Sequence, residues 1–347
     1  MNDLTQFFFY FVRKGLWGSA EIESSEPDLT AADWEQLYLM AYSQAVTGIL
    51  IDGVSCTAMR PPTEIWEQWL LHLLKLEMVN HQVRTCGHRW LERLANEGVS
   101  AFVFKGSSVA EWYKEPLHRS FGDVDIVVRS GWDRIESLLL RDKVTYRNDH
   151  GDWVVLTEGQ PPVEFHPNWE YVYNPFINAR LQKICSKSDG SDKELYLVCL
   201  ILHLRRHFLT YGVGLKQVCD VAVMWQNGGL DMERLSGILR LFHIEKFTRI
   251  LFGFIRCYLG GGHGFPLMLI TEGRDYKLFC NVILNEGYIL KFEQTEIASG
   301  SHSGVVRILK NCFFWLRRSL RLFHLMPGEA VGFLLYMTGR RLKSLWI

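Results

Sequence analysis

The chain has 347 residues, 48% of them hydrophobic and 12 of them tryptophan, and its 38 Lys and Arg balance 38 Asp and Glu. That length leaves room for two or three domains with a large aromatic core, and the charge balance removes any general electrostatic case for a nucleic-acid partner. The 8 cysteines are scattered without a Cys-x-x-Cys pair, so they read as reduced core residues of a cytoplasmic protein.

Residues 1–95 read as an N-terminal helical region, with helical patterns over Ala31–Val46 and Pro62–Gly98 separated by a loop at Arg60-Pro61-Pro62. Phe7–Val12 is apolar, but it is short, follows Asp3 and lacks a nearby small-residue cleavage site, so it does not read as a secretory leader. No apolar run approaches the roughly 18 residues of a transmembrane helix.

Residues 96–185 alternate strand and helix and form the mixed-sheet unit of an expected α+β fold. Ser100–Phe104 reads as a short buried strand, and Lys105-Gly106-Ser107-Ser108 opens a helix over Val109–Tyr113. Such a turn suits a phosphate. Glycine lets the backbone approach closely, free amides at the helix start point outward, and Ser107, Ser108 and Lys105 add hydrogen-bond donors and charge.

Asp123-Val124-Asp125-Ile126-Val127-Val128 is a β-branched run, so Asp123 and Asp125 point the same way while Val124 and Ile126 face the core. Two carboxylates about 7 Å apart on one strand face repel each other. Their natural neutralising partner is a hard cation with oxygen ligands, Mg²⁺ holding a nucleotide's phosphates. A second ion about 3.5–4 Å away would activate the attacking oxygen.

After the helix Trp132–Arg141 come strands over Trp153–Leu156 and Val163–Phe165. Glu164, between two apolar residues, is the candidate third carboxylate, with His166 on its face as a neighbour of the ligands. Arg119 either pairs with phosphate or bridges to Asp123.

From residue 186 onward the pattern is helical over Leu195–Leu209, Leu215–Gln226, Met232–Phe242, Glu245–Leu259 and Tyr276–Asn285, with glycine stops at Gly228-Gly229 and Gly260-Gly261-Gly262. His203 and His207 lie four apart on one helical face. No acid or cysteine sits at matching spacing, so hydrogen bonding or substrate contact is expected there rather than zinc. Glu296–Ser303 reads as an exposed loop.

Residues 305–347 carry eight basic residues (307, 310, 317, 318, 321, 340, 341 and 343) against Glu329, interleaved with aromatic residues and leucine. Arg317, Arg318 and Arg321 read as the solvated face of an amphipathic helix or as cleft-lining groups. Contact with a membrane surface is the secondary expectation.

Lys105-Gly106-Ser107, Arg119, Gly122-Asp123-Val124-Asp125 and Val163-Glu164-Phe165-His166 resemble the uncharacterised nucleotidyltransferase family of the DNA polymerase beta-like superfamily. Asp33-Trp34, Ala41 and Gln44–Gly48 resemble that family's N-terminal helical region. Tyr211-Gly-Val-Gly-Leu-Lys216-Gln217-Val-Cys-Asp220 resembles its C-terminal one. Relatives more often carry arginine at the position of Lys216, and the superfamily more often uses aspartate at that of Glu164.

The resemblance implies a small mixed-sheet nucleotidyltransferase core flanked by helical regions, 1–95 and 186–347. It implies two Mg²⁺ ions on Asp123, Asp125 and Glu164. A nucleoside triphosphate, ATP being the expected donor, would lie on Lys105, Gly106, Ser107, Ser108, Arg119 and Lys216. His166, His203, His207 and Asp220 would stand behind these groups. The reaction expected is transfer of a nucleoside monophosphate to the hydroxyl of an unidentified small molecule or protein. The alternative from another class is a catalytically silent nucleotide-binding or scaffold protein.

Overall fold

The computed structural model describes residues 3–18, 29–149, 151–210, 212–265, 267–286 and 304–344. Helices α1 (Asp3–Trp17), α2 (Ala31–Ser43), α3 (Thr47–Ser55) and the long α4 (Thr63–Asn96) precede the first strand. At 34 residues, α4 is about 50 Å long, enough to pass under the sheet and reach the loops that enter it.

The sheet contains β1 (Ser100–Val103), β2 (Val124–Ser130), β3 (Tyr146–Asp149), β4 (Asp152–Val155) and β5 (Val163–His166) in the order β1-β2-β5-β4-β3. Only β2 and β5 run parallel. Between β1 and β2 lie the short α5 (Gly106–Ala110) and a 3₁₀ turn (Pro116–His118), and α6 (Trp132–Arg141) follows β2. The mixed sheet with flanking helices is the α+β architecture expected from the sequence.

Alternation decides which way the sheet faces. Val124, Ile126 and Val128 of β2 and Val163 and Phe165 of β5 are buried against α4 and α6, together with Trp90, Leu94 and Ile135. The intervening residues, Asp125 and Glu164, therefore emerge on the opposite face.

The C-terminal helices are α7 (Pro175–Cys185), α8 (Lys193–Leu209), α9 (Leu215–Asn227), α10 (Met232–Leu241), α11 (Glu245–Phe254), α12 (Gly273–Asn281), α13 (Gly304–Leu322) and α14 (Pro327–Ser344). Side-chain caps start several of them: Asn174 accepts from Phe176 and Ile177, Asp192 from Leu195, and Asp231 from Glu233 and Arg234. Apolar residues of α1, α8, α9 and α11 share one large core with Phe104 and Val127 from the sheet side.

The loop that leads into β2 is clamped from below. Asn80 of α4, fully buried, donates to the carbonyls of Leu117 and Arg119 and accepts from the Phe121 amide. His118 is gripped between Asp52 of α3 at 2.7 Å and Glu77 of α4 at 2.8 Å. The N-terminal helices also reach the C-terminal side, where Gln44 accepts from the Leu215 amide through its side chain and from the Lys216 amide through its carbonyl.

Several boundaries differ from the sequence reading. The helix expected over Ala31–Val46 stops at Ser43, because Ala45 turns the chain with φ +55 before α3 begins. The helix expected after the Lys105 turn occupies Gly106–Ala110 instead of Val109–Tyr113. The patterns over Glu245–Leu259 and Tyr276–Asn285 each end in a π-type turn, Ile255–Leu259 and Val282–Glu286. Helices α1, α3 and α7 and strand β3 have no counterpart in the sequence reading.

In the tail, Arg318 is not solvated: it is buried and donates to the carbonyls of Leu209 and Phe208 at the end of α8 and to Glu286. Arg317 and Arg321 are exposed, as expected. The expected loop Glu296–Ser303 and the side chains at 307, 340, 341 and 343 lie outside what is described.

Candidate active site

The turn from β1 into α5 has an unusual backbone. Lys105 sits at φ +64, ψ −156 and Gly106 at φ +44. The first conformation is essentially restricted to glycine and costs about 1–3 kcal/mol for a side-chain-bearing residue. Buried contacts hold it: the Lys105 amide donates to Tyr196 Oη of α8 at 2.8 Å, and Ser108 Oγ is hydrogen-bonded to the same phenol.

On the sheet, Asp125 pairs in register with Glu164, and Val127 with His166. His166 Nε2 lies 2.8 Å from Asp125 Oδ1 and 3.7 Å from Glu164 Oε2, while Nδ1 lies 3.0 Å from Asp152 Oδ1 of β4. Lys105 Nζ is 3.6 Å from Asp125 Oδ1.

These neighbours set the charges. Burial opposes ionisation of Asp125, but Lys105 and His166 outweigh it and hold the carboxyl well below its ordinary range. Burial pulls His166 down, but hydrogen bonds to Asp125 and Asp152 prevail and push it up to about 9. Burial, then the charge of Asp125, raises both Asp123 and Glu164. Repulsion of this kind is what a bound cation relieves.

A second polar cluster faces the first from the helical side. Glu170, 4% exposed, accepts from Arg206 Nε at 2.7 Å and lies 2.6 Å from His203 Nδ1. Burial would raise Glu170, but Arg206 and His203 hold it well below the usual carboxylate range. The Arg206 guanidinium also lies over the Tyr171 ring, 4.4 Å from its centre. Burial and the charge of Lys105 push His203 down to about 4, so its imidazole is neutral near pH 7.

One cavity of about 690 Å³ joins the two clusters. Lys105, Gly106, Arg119, Asp123, Asp125, Glu164 and His166 line it from the sheet side, and His203, Arg206, His207, Lys216 and Asp220 from the helical side. Burial, then Arg119, lowers Lys216 to about 8. The donor atoms of Asp125, Glu164 and His166 all lie within 4.8 Å of one another. That oxygen-rich set fits a divalent cation. Asp123 lines the same cavity outside that group.

The model of a family of uncharacterised nucleotidyltransferases matches residues 30–260, more than half of the chain. The chain belongs to this family. No curated protein and no solved structure matches it.

The cavity gathers most of the residues singled out in the sequence, but not all in the expected way. Arg119 bridges to Asp220 and not to Asp123: Nε donates to Oδ1 at 2.8 Å and Nη2 to Oδ2 at 2.6 Å, with both residues about 95% buried (5% and 4% exposed). Tyr113 adds a third donor to Asp220 at 2.8 Å. Ser107 does not line the cavity, and Ser108 is engaged by Tyr196.

Asp152, Glu170, Tyr171, Tyr196, Arg206 and Tyr336 were absent from the sequence reading. Arg206 alone carried a signal, since it shares a helix face with His203 at i+3. Among the described residues, no helix is long and apolar enough to cross a membrane.

Proposed function

We propose that this protein transfers a nucleoside monophosphate from a nucleoside triphosphate to an acceptor hydroxyl, with a divalent ion held by Asp123, Asp125 and Glu164. The observation that carries this reading is the convergence of those acids and the Lys105-Gly106 turn on a single cavity whose opposite wall carries Arg206 and Lys216.

The Gly106 turn and Lys105 would receive the β and γ phosphates, with Lys216 and Arg206 supplying positive charge from the helical wall. When bound, the ion would neutralise the phosphates and polarise the reacting phosphorus. The acceptor oxygen would form a bond to the α-phosphorus as the bond from that phosphorus to the bridging oxygen breaks, releasing pyrophosphate. Glu164 would take the hydroxyl proton. Its carboxyl is raised by burial and by Asp125, which brings it closer to the range a general base needs.

On this reading 96–185 is the catalytic core and the flanking segments, 1–95 and 186–347, close it, in a cytoplasm that supplies the nucleotide. The acceptor is a small molecule or a protein side chain.

Calorimetric titration of ATP, GTP, CTP and UTP with and without Mg²⁺ tests the reading, using the native chain and Asp123→Ala/Asp125→Ala. Binding that requires the ion and is lost in the variant, together with slow pyrophosphate release, is the expected result. Binding that survives loss of both aspartates, without pyrophosphate release, would favour a silent nucleotide-binding scaffold.

A further inference from the structure

We propose that His166 is itself a ligand of the ion, so that the centre is a two-carboxylate, one-imidazole site of Asp125, Glu164 and His166 that favours a first-row transition ion over Mg²⁺. This rests on the reading that the acidic cluster holds a cation, and it changes both the ligand set and the metal.

Three features of the geometry converge. His166 Nε2 points into the acidic group, 2.8 Å from Asp125 Oδ1 and 3.7 Å from Glu164 Oε2, so the nitrogen already occupies one corner of a ligand cluster. The other ring nitrogen, Nδ1, is held by the Asp152 carboxylate at 3.0 Å. A carboxylate on the far nitrogen is the arrangement that fixes the tautomer and orientation of metal-ligating histidines. Finally, β5 places Glu164 and His166 on one face two residues apart, in register with Asp125 and Val127 of β2, so no rearrangement of the backbone is needed to bring the three groups to one ion.

The contact between His166 and Asp125 is the form such a site takes with a proton in place of the metal. Binding would exchange the Nε2–H···Oδ1 hydrogen bond for bonds from both atoms to the ion, releasing the Nε2 proton to solvent. Asp152 keeps its hydrogen bond to Nδ1 throughout and acts as a positioning residue.

Ligand chemistry then selects the ion. Mg²⁺ prefers oxygen ligands and retains water, whereas imidazole nitrogen adds affinity for Mn²⁺ through Zn²⁺ along the first-row series. Asp123 remains available in the cavity for phosphate-bound Mg²⁺.

Mn²⁺ and Mg²⁺, each alone, are titrated into the full chain, and the Mn²⁺ form is probed by pulsed electron paramagnetic resonance for coupling to ¹⁴N. The expected result is Mn²⁺ binding at least tenfold tighter than Mg²⁺, with a nitrogen coupling that disappears in His166→Gln. Asp152→Asn should weaken Mn²⁺ binding about 10- to 100-fold while keeping the coupling. Thermal melts of both variants establish that they are folded. Mn²⁺ bound by the native chain without nitrogen coupling overturns the proposal and leaves the metal-dependent transferase reading intact. If Mn²⁺ and Mg²⁺ both fail to bind, alone or with nucleotide, both readings fall together.

Discussion

Replacing Asp220 by alanine tests how the sheet is fastened to the helical half. Asp220 is 4% exposed and receives Arg119 through two hydrogen bonds of 2.8 and 2.6 Å, plus the Tyr113 hydroxyl at 2.8 Å. Removing one partner of a buried ion pair costs about 3–5 kcal/mol, because the other charge stays out of water. The Tyr113 hydroxyl loses an acceptor as well, which falls within the same range because the penalties overlap. Against a total stability of about 5–15 kcal/mol, this is a large fraction.

Asp220→Ala should therefore lower the unfolding free energy from urea titration by about 3–5 kcal/mol. Arg119→Met/Asp220→Leu, which removes both charges and fills the space, should recover most of that loss. A loss below about 1 kcal/mol, or a double variant no more stable than the single one, would refute the buried-lock argument.

Lys105→Gly should be more stable than Lys105→Ala by about 1–3 kcal/mol, since only glycine accepts the backbone at φ +64, ψ −156 without strain. Both should bind nucleotide at least tenfold more weakly, and equal melting temperatures for the two would remove the strain argument. For His118, burial acts to lower its pKa, but Asp52 and Glu77 prevail and raise it to about 9 from 6.5. The stabilisation from its charged form is therefore complete below pH 6.5 and lost as the pH rises through about 9. The stability difference between the native chain and His118→Gln should shrink by about 1–2 kcal/mol across that window, after allowance for solvent screening; a flat difference would contradict it. Gly332→Ala would set a Cβ 2.4 Å from the Tyr173 carbonyl oxygen, so α14 must shift at a cost of about 1–3 kcal/mol. Limited proteolysis should then cut first in α14, and an unchanged digestion pattern would show that α14 accommodates the methyl group.

The sheet side of the site was legible because its grammar is local. Alternation along Asp123–Val128 and Val163–His166 decides which residues are buried and which face the cavity, and near neighbours in the chain are enough to read it. The Lys105-Gly106 turn was equally legible, since a short apolar strand, a glycine and a helix start occupy consecutive positions. The strain at Lys105 was not, because lysine gives no sign that tertiary contacts will hold it at positive φ.

The sequence by itself determined the α+β class, the acids on β2 and β5, and most of the C-terminal helices, all through periodicities of a few residues. Only the tertiary structure decided the partners of the buried charges: Arg119 with Asp220, Glu170 with His203 and Arg206, His118 with Asp52 and Glu77, and Asp152 behind His166. Arg119 and Asp220 are 101 residues apart in the chain. A buried charge takes whichever opposite charge packing delivers to it, and that choice depends on how the helical half closes over the sheet rather than on any pattern within either segment.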